Sequence, residues 1–290
     1  MKKLAVLGIG VGLATIGLYT GISLYTAKVA EAKINDLIKE VEDEVVIQYR
    51  DVSTQPFKAA VVVKDVSLAP VEAPDQVITI DQVTVRKLEE GTDFPTALDA
   101  SMQGIKFSAD QVNAPAVNGF LQKAGYQETL SLNLDTKYQY QEASQEVTLE
   151  QFRLGAKDLG YLEVTFKLGN VTPEMADANA NVIVHAAKIT YQDDSFAEKL
   201  IAAIAAENNQ EVGQFKTQLQ AGLQQNAQLL LSPDNPAAMA ALDGAIAFIE
   251  NPEGFSISVN PPQPVTVSEL AAVNNPQAWV DLLNLQIEAY

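Results

Sequence analysis

The chain reads LSLNLDTKYQY from Leu130 to Tyr140, and this stretch decides the fold class. Apolar and polar residues alternate along its whole length. Because successive side chains of a β-strand point to opposite faces, the pattern predicts a strand with one buried and one wetted face. Residues 162–168, LEVTFKL, repeat the pattern. One-sided strands of this kind are typical of an antiparallel sheet.

Further alternating runs extend this prediction over much of the chain. They lie near residues 45–50, 57–68, 76–88, 98–108, 145–155 and 182–192. The two clearest runs supply a candidate apolar sheet face, which consists of Leu130, Leu132, Leu134, Leu162, Val164 and Phe166. The sequence leaves open whether this face forms an open groove or a filled core.

After Asp193 the apolar period changes from that of a strand to that of a helix. Ser195-x-x-Glu198 matches a capping box, and Leu200 and Ile204 follow at helical spacing. Short runs near 255–259, 265–267 and 283–287 predict strands that return to the sheet. We therefore predict an α+β fold in which an N-terminal transmembrane helix precedes a large antiparallel sheet of about 8–10 strands with a C-terminal helical layer.

The N-terminal segment predicts a membrane anchor. Residues 4–27 carry no charge and stand between Met1-Lys2-Lys3 and Lys28. A helix of that length spans roughly 36 Å, against a hydrocarbon core of about 30 Å. Residues 1–33 are thus predicted to be an uncleaved signal-anchor, and cleavage near Ala32 is the alternative. The predicted anchor residues are Leu4, Gly8, Gly12, Gly17, Gly21 and Tyr25.

The remaining residues, 34–290, are predicted to form a single exported α+β domain. Within it, residues 34–192 are mainly strands, and residues 193–290 are helix-rich with short returning strands. A long domain after a short basic N-terminus usually leaves the cytoplasm, so we predict a single-pass protein of the bacterial inner membrane with its bulk in the periplasm. Glycines four residues apart in the anchor would let two helices approach closely, which makes a homo-oligomer an alternative to a monomer.

Composition excludes several classes of function. The chain of 290 residues holds 37 acidic and 19 basic residues, a net charge of -18, so a general nucleic-acid surface is excluded. Residues 1–33 carry a net +3, and the rest of the chain therefore carries -21. The chain has no cysteine and one histidine, His185, which removes disulfides, thiolate metal sites and multi-histidine sites. We expect no metal and no cofactor.

The sequence contains few features that indicate a catalytic site. His185 would need a nucleophile such as Ser195 and an orienting acid such as Asp193, brought together by tertiary contacts. The simpler interpretation of His185 is a partly buried strand residue that bonds to a neighbour. The chain contains no Gly-x-Ser-x-Gly elbow, phosphate-binding loop or His-Glu-x-x-His motif. We predict that the protein is not an enzyme, and a hydrolase is the third alternative.

Four stretches carry a resemblance to a known group of proteins. They are residues 1–28, VITIDQVTV at 77–85, VTLEQFRL at 147–154 and LEVTFKLGN at 162–170. This layout resembles the AsmA-like and YdgA-like bacterial envelope proteins, which have one membrane helix and an exported domain of amphipathic strands. The resemblance implies a role in outer-membrane assembly and, by analogy with larger members, a hydrophobic groove for lipid. It implies no catalytic residues, and the helical segment after Asp194 departs from the pattern.

Together these features predict a membrane-anchored, non-catalytic envelope protein. Its exported domain is predicted to bind a hydrophobic ligand, such as a lipid, or another envelope protein, while the N-terminal helix contacts the lipid bilayer. The alternative is a scaffold protein that acts through its anchor and its acidic surface.

Overall fold

The computed structural model describes most of the chain after residue 26. The described residues are 27–55, 59–89, 91, 95–108, 119, 121–123, 125–126, 129–172, 181–230, 236–273 and 276–290. The predicted anchor residues Leu4, Gly8, Gly12, Gly17, Gly21 and Tyr25 all lie outside these ranges, as do the glycine pairs of the predicted helix contact.

Twelve strands lie within the described residues and belong to one antiparallel sheet. Their bounds are β1 Val45–Gln48, β2 Asp51–Gln55, β3 Ala60–Pro70, β4 Ile78–Glu89, β5 Ala97–Ser108, β6 Thr129–Gln141, β7 Glu146–Ala156, β8 Gly160–Gly169, β9 Ile183–Gln192, β10 Gly254–Val259, β11 Val265–Thr266 and β12 Gln286–Ala289. The strand order is β1-β3-β4-β5-β6-β7-β8-β9-β10-β12, with β2 paired to β3 and β11 paired to β9.

Six helices have both ends among the described residues. They are α1 Ala27–Glu40, α2 Phe196–Glu207, α3 Val212–Leu230, α4 Pro236–Glu250, α5 Val267–Ala272 and α6 Pro276–Leu283. Five of the six follow β9, where the sequence changes from strand to helix periodicity.

The predicted fold class is wrong in its strand number, and the described residues contain no helix of the predicted membrane-spanning kind. The sheet has more strands than predicted, partly because the predicted run at 45–50 contains only β1, and a separate strand, β2, which was not predicted, follows a break at residues 49–50. Asp65 of β3 lies opposite this break with a φ of +49°, and its carboxylate pairs with Arg50 at 2.6 Å. Nowhere in the described chain does a helix have both the length and the apolar character needed to cross a membrane. The first described helix, α1, carries Lys28 and Asp36 among other charges, and its Ala30 and Ile34 belong to the core.

Contacts along the chain group into two compact units, whereas the sequence predicted one domain over residues 34–290. The first unit is Met1–Gln122, Tyr126–Tyr140 and Glu150–Ala156, and the second is Lys123–Gly125, Gln141–Leu149 and Lys157–Tyr290.

The first unit has a filled core between the sheet and α1. Residues that lie directly opposite one another on paired strands share a face of the sheet. One such row is Val63, Val83, Met102 and Leu134, and the next is Val66, Ile80, Ile105 and Leu132. Helix α1 packs Ala30 and Ile34, four residues apart, against these rows. The core therefore buries Leu134 and partly buries Leu132 of the predicted apolar face.

A bulge in β5 fixes the register of this core. Met102 pairs with Leu134 and Ile105 with Leu132, so β5 has one more residue than β6 between these pairs. Gly104 takes up the difference at a φ of +66°, and its N–H donates to Oδ1 of Asn133 at 3.0 Å. The Asp81 carboxylate occupies the space where a Cβ of residue 104 would lie. Glycine is therefore required at this position.

Candidate functional site

The second unit carries an apolar face that only part of its helical layer covers. Leu162, Val164 and Phe166 of β8 lie directly opposite Tyr191, Ile189 and Ala187 of β9. Since opposed residues and residues two apart share a face, all six lie on one side of the sheet. We call these six residues the apolar strip. The intervening residues of β8, Glu163, Thr165 and Lys167, are polar and belong to the other side.

The same face continues onto β10 and β12, where a helix covers it. Phe255 and Ile257 lie opposite Tyr191 and Ile189, and β12 continues the two rows with Ala289 and Ile287. Helix α4 approaches β12 so closely that a Cβ on Gly244 would lie 3.7 Å from Cβ of Ala289. Its Phe248 ring lies 5.7 Å from the Phe255 ring and 6.2 Å from the Tyr191 ring. These separations are those of packed aromatic pairs.

A second cluster covers the opposite end of this face. Val184 and Val259 pack against Val265 of β11, Leu270 of α5 and Leu283 of α6. The part of the apolar strip between these two covered regions is more exposed. Leu162 is 39% exposed and Ile189 is 40% exposed, although both lie inside the sheet. Large apolar side chains at interior sheet positions normally lie against a second layer, so this partly open strip is the strongest candidate site of the unit.

Three acidic segments converge at one end of the apolar strip. One Asp193 oxygen accepts hydrogen bonds from the Tyr191 hydroxyl and, at 3.0 Å, from the Ala197 N–H of α2. The Asp193 N–H donates to the Glu253 carbonyl at 2.8 Å. These bonds hold the start of α2 and the turn before β10 beside the last strip residues. We call Asp193, Asp194, Glu198 and Glu253 the acidic end. Three residues of the acidic end are exposed, namely Asp194, Glu198 and Glu253, whereas Asp193 is buried.

The predicted capping box at Ser195 is not formed. Ser195 occupies the N-cap position of α2, but its hydroxyl donates to the Asp158 carbonyl at 2.8 Å instead of capping the helix. Instead, the side chain of Asp193, two residues before Ser195, accepts the hydrogen bond from the Ala197 N–H in the first turn of α2. A capping box that the sequence analysis missed occurs at α5, where the Thr266 and Glu269 side chains each accept from the other residue's backbone N–H. Its signal, Thr266-x-x-Glu269, has the same spacing that we assigned to Ser195.

The structure does not assemble the catalytic constellation considered for His185. His185 and Asp193 are eight residues apart along β9, which corresponds to about 26 Å in an extended strand. His185 lies instead at a bulge, where its Nε2 is 3.8 Å from Oε1 of Glu146. The same oxygen is 3.2 Å from Nζ of Lys167. Since Ser195 is also bound elsewhere, nucleophile, base and acid are held apart.

Five of the six residues of the predicted apolar face are divided between two environments. Leu132 and Leu134 belong to the core of the first unit, and Leu134 is buried. Leu162, Val164 and Phe166 belong to the apolar strip of the second unit. The Leu130 side chain lies outside the described residues, although its backbone is part of β6. Sequence analysis missed Ile189 and Tyr191 as site residues. Their alternation in ITY at 189–191 was visible, but only the pairing register places them beside Leu162.

A shallow cleft of about 590 Å³ is a weaker candidate. Pro262, Pro264 and Leu282 line it together with the carboxylate-bearing residues Glu269 and Asp281. Hydrogen bonds from the Thr266 N–H and hydroxyl lower the pKa of Glu269, so this carboxylate is already occupied by the helix cap. Within the described ranges, no three His, Cys, Asp or Glu residues are grouped so that they could hold a metal ion.

Comparison with known proteins gives a match over most of the second unit, and this match names no activity. A family model described as "Uncharacterized protein" matches residues 153–290. This range includes the apolar strip, the acidic end and all helices from α2 onward. A comparison with curated proteins gives no match.

Proposed function

We propose that this protein is a non-catalytic binding protein of the bacterial envelope, and that its second unit binds an apolar ligand or the apolar part of another protein on the apolar strip. The exposure of Leu162 and Ile189, which lie on two interior strands of the sheet, carries the proposal. Complete burial of a leucine or isoleucine side chain is worth about 1.5–3 kcal/mol. Covering what remains exposed of these two side chains would therefore contribute about 1 kcal/mol each.

The surroundings of the strip support binding over a role in the core. Phe248 covers one part of the face and the Val265 cluster covers another, so the neighbouring parts are closed by the protein's own residues. The strip between them lies in the range that the family model matches. The sequence resemblance to envelope proteins with a hydrophobic groove points to the same class of function.

The test compares two double variants of the full chain. Leu162→Thr with Ile189→Thr makes the exposed side chains smaller and more polar and places a β-branched residue, which favours strands, at both positions. Val46→Thr with Val71→Thr is the matched control, because these valines are 44% and 45% exposed in the first unit. We expect the strip variant to bind the uncharged dye Nile red about tenfold more weakly than the wild type, as a loss of about 1.4 kcal/mol requires.

The control should bind the dye like the wild type. If both double variants and the wild type bind equally, the strip is not the binding surface and the proposal fails. Cooperative urea unfolding of each variant shows that a lost signal does not come from a lost fold.

The envelope location is part of the proposal and has its own test. A tag after Tyr290 would become accessible to protease in spheroplasts if the second unit lies in the periplasm. A tag that stays protected until the inner membrane is broken would contradict this location and would leave the binding test unaffected.

A further inference from the structure

We infer that the occupant of the apolar strip is a basic amphipathic segment of a partner protein. The inference rests on the proposed function, because it assigns a chemical class to the ligand of the same surface. It follows from the charges at and around the strip.

The acidic end concentrates negative charge at one end of the apolar strip. Asp193, Asp194, Glu198 and Glu253 bring four carboxylates to the end that Leu162 and Tyr191 occupy, and Lys199 is the cation of the adjoining helical turn. Asp193 is bonded to Tyr191 and Ala197, and Asp194, Glu198 and Glu253 are exposed; Oε1 of Glu253 accepts a hydrogen bond from the Asn251 amide at 2.7 Å. An apolar segment that carries lysine or arginine beyond its end would place these cations beside the carboxylates.

The charge of the helical layer points to the same occupant. Residues 201–290 contain nine acidic residues, one lysine and no arginine. A fatty acid or an anionic phospholipid would bring a negative headgroup to this surface, and like charges repel. A second copy of the chain would face the same repulsion. Complementary potential steers a cationic partner to such a surface and opposes an anionic one.

The dimensions of the strip fit a short helix. It extends over four residue steps of β8, about 13 Å, and over two neighbouring strands. A helix packs about 10 Å above a sheet, and roughly nine helical residues cover 13 Å at 1.5 Å per residue. Apolar side chains at i, i+3, i+4 and i+7 would contact the strip, while basic residues on the flank and at one end would face the acidic end.

The absence of cysteine from the chain allows a probe to be placed at the strip itself. We would replace Ile189 by cysteine in the full chain and label it with bimane, an uncharged fluorophore that responds to polarity. Val46→Cys with the same label is the control, because Val46 is equally exposed on a strand of the first unit. Two 14-residue helical peptides share a leucine face and differ only in carrying lysine or glutamate on the other face. Phosphatidylglycerol vesicles serve as the anionic lipid.

The lysine peptide should shift the emission of the label at residue 189 and not of that at residue 46. We expect it to bind at least tenfold more tightly than the glutamate peptide in 50 mM salt, with a difference that shrinks severalfold in 500 mM salt. Asp194→Asn with Glu198→Gln should weaken lysine-peptide binding severalfold. The control double variant, Glu42→Gln with Asp43→Asn, removes the same charge from exposed residues of the first unit. It should leave lysine-peptide binding unchanged.

Equal binding of the two peptides would overturn the inference, because the acidic end would then select nothing. A response at residue 189 to phosphatidylglycerol vesicles but not to the lysine peptide would also overturn it, in favour of an anionic lipid, and would leave the proposed function intact. Failure of the proposed function is recognised separately, when Nile red binding does not depend on Leu162 and Ile189.

Discussion

The hydroxyl of Tyr191 donates a hydrogen bond to the carboxylate of Asp193, two residues further along the chain. The same carboxylate oxygen accepts from the Ala197 N–H. One buried side chain thus joins the last residues of the apolar strip to the first turn of α2. This arrangement sets both the direction in which the helical layer leaves the sheet and the position of the acidic end.

We expect Asp193→Ala to destabilise the second unit. The change removes the acceptor for the first turn of α2 and one partner of Tyr191, and the loss of a helix-capping acceptor costs about 1–2 kcal/mol. Urea unfolding measures the change. Asp194→Ala is the control, because Asp194 is exposed and should alter stability by less than about 0.5 kcal/mol. Equal effects of the two variants would show that the hydrogen bonds of Asp193 are not what stabilises this junction.

Two leucines that the sequence placed on one face should lose very different amounts of stability when truncated. Leu134 is 1% exposed in the filled core of the first unit, so Leu134→Ala should cost about 2–5 kcal/mol through lost burial and a cavity. Leu162 is 39% exposed, and Leu162→Ala should cost about 1 kcal/mol or less. Thermal or urea unfolding of the two variants distinguishes the environments. A similar large loss for Leu162 would mean that the strip is closed in solution.

Gly104 and Gly222 should respond to alanine with opposite signs. A Cβ at residue 104 would lie 2.1 Å from Oδ2 of Asp81 at a backbone φ of +66°, so we expect Gly104→Ala to cost about 1–3 kcal/mol. Gly222 lies within α3, where a Cβ would meet nothing within 4 Å. Gly222→Ala should stabilise the protein by up to about 1 kcal/mol through helix propensity. A neutral Gly104→Ala would show that the β5 bulge tolerates a side chain.

The capping box of α5 predicts a pH effect. Because hydrogen bonds from the Thr266 N–H and hydroxyl stabilise the charged carboxylate, the pKa of Glu269 is lower in the folded protein than in the unfolded chain. The stabilisation is therefore present above the unfolded-state pKa and is lost as the pH falls through the folded-state pKa. NMR titration of the Glu269 carboxyl should show this depressed pKa. Thr266→Ala should raise it toward the ordinary glutamate value, and an unchanged pKa would contradict the assignment.

The strand periodicity of this protein was readable because a sheet with one wetted face imposes alternation on the sequence. LSLNLDTKYQY and LEVTFKL were identified as strands in this way, and both are strands in the structure. Alternation does not give the pairing partners, however. It placed Leu134 and Leu162 on one face, whereas the first belongs to a filled core and the second to a partly exposed strip.

The division between sequence and tertiary structure has a physical reason. Periodicity, composition and charge are local or additive properties, so the sequence alone determined the antiparallel strands, the change to helices after Asp193 and the acidity of the C-terminal region. The exposure of Leu162 and Ile189, the cap supplied by Asp193 and the separation of His185 from Ser195 depend on which segments meet. Register and packing decide these contacts between residues far apart in the chain, and only the folded structure contains that information.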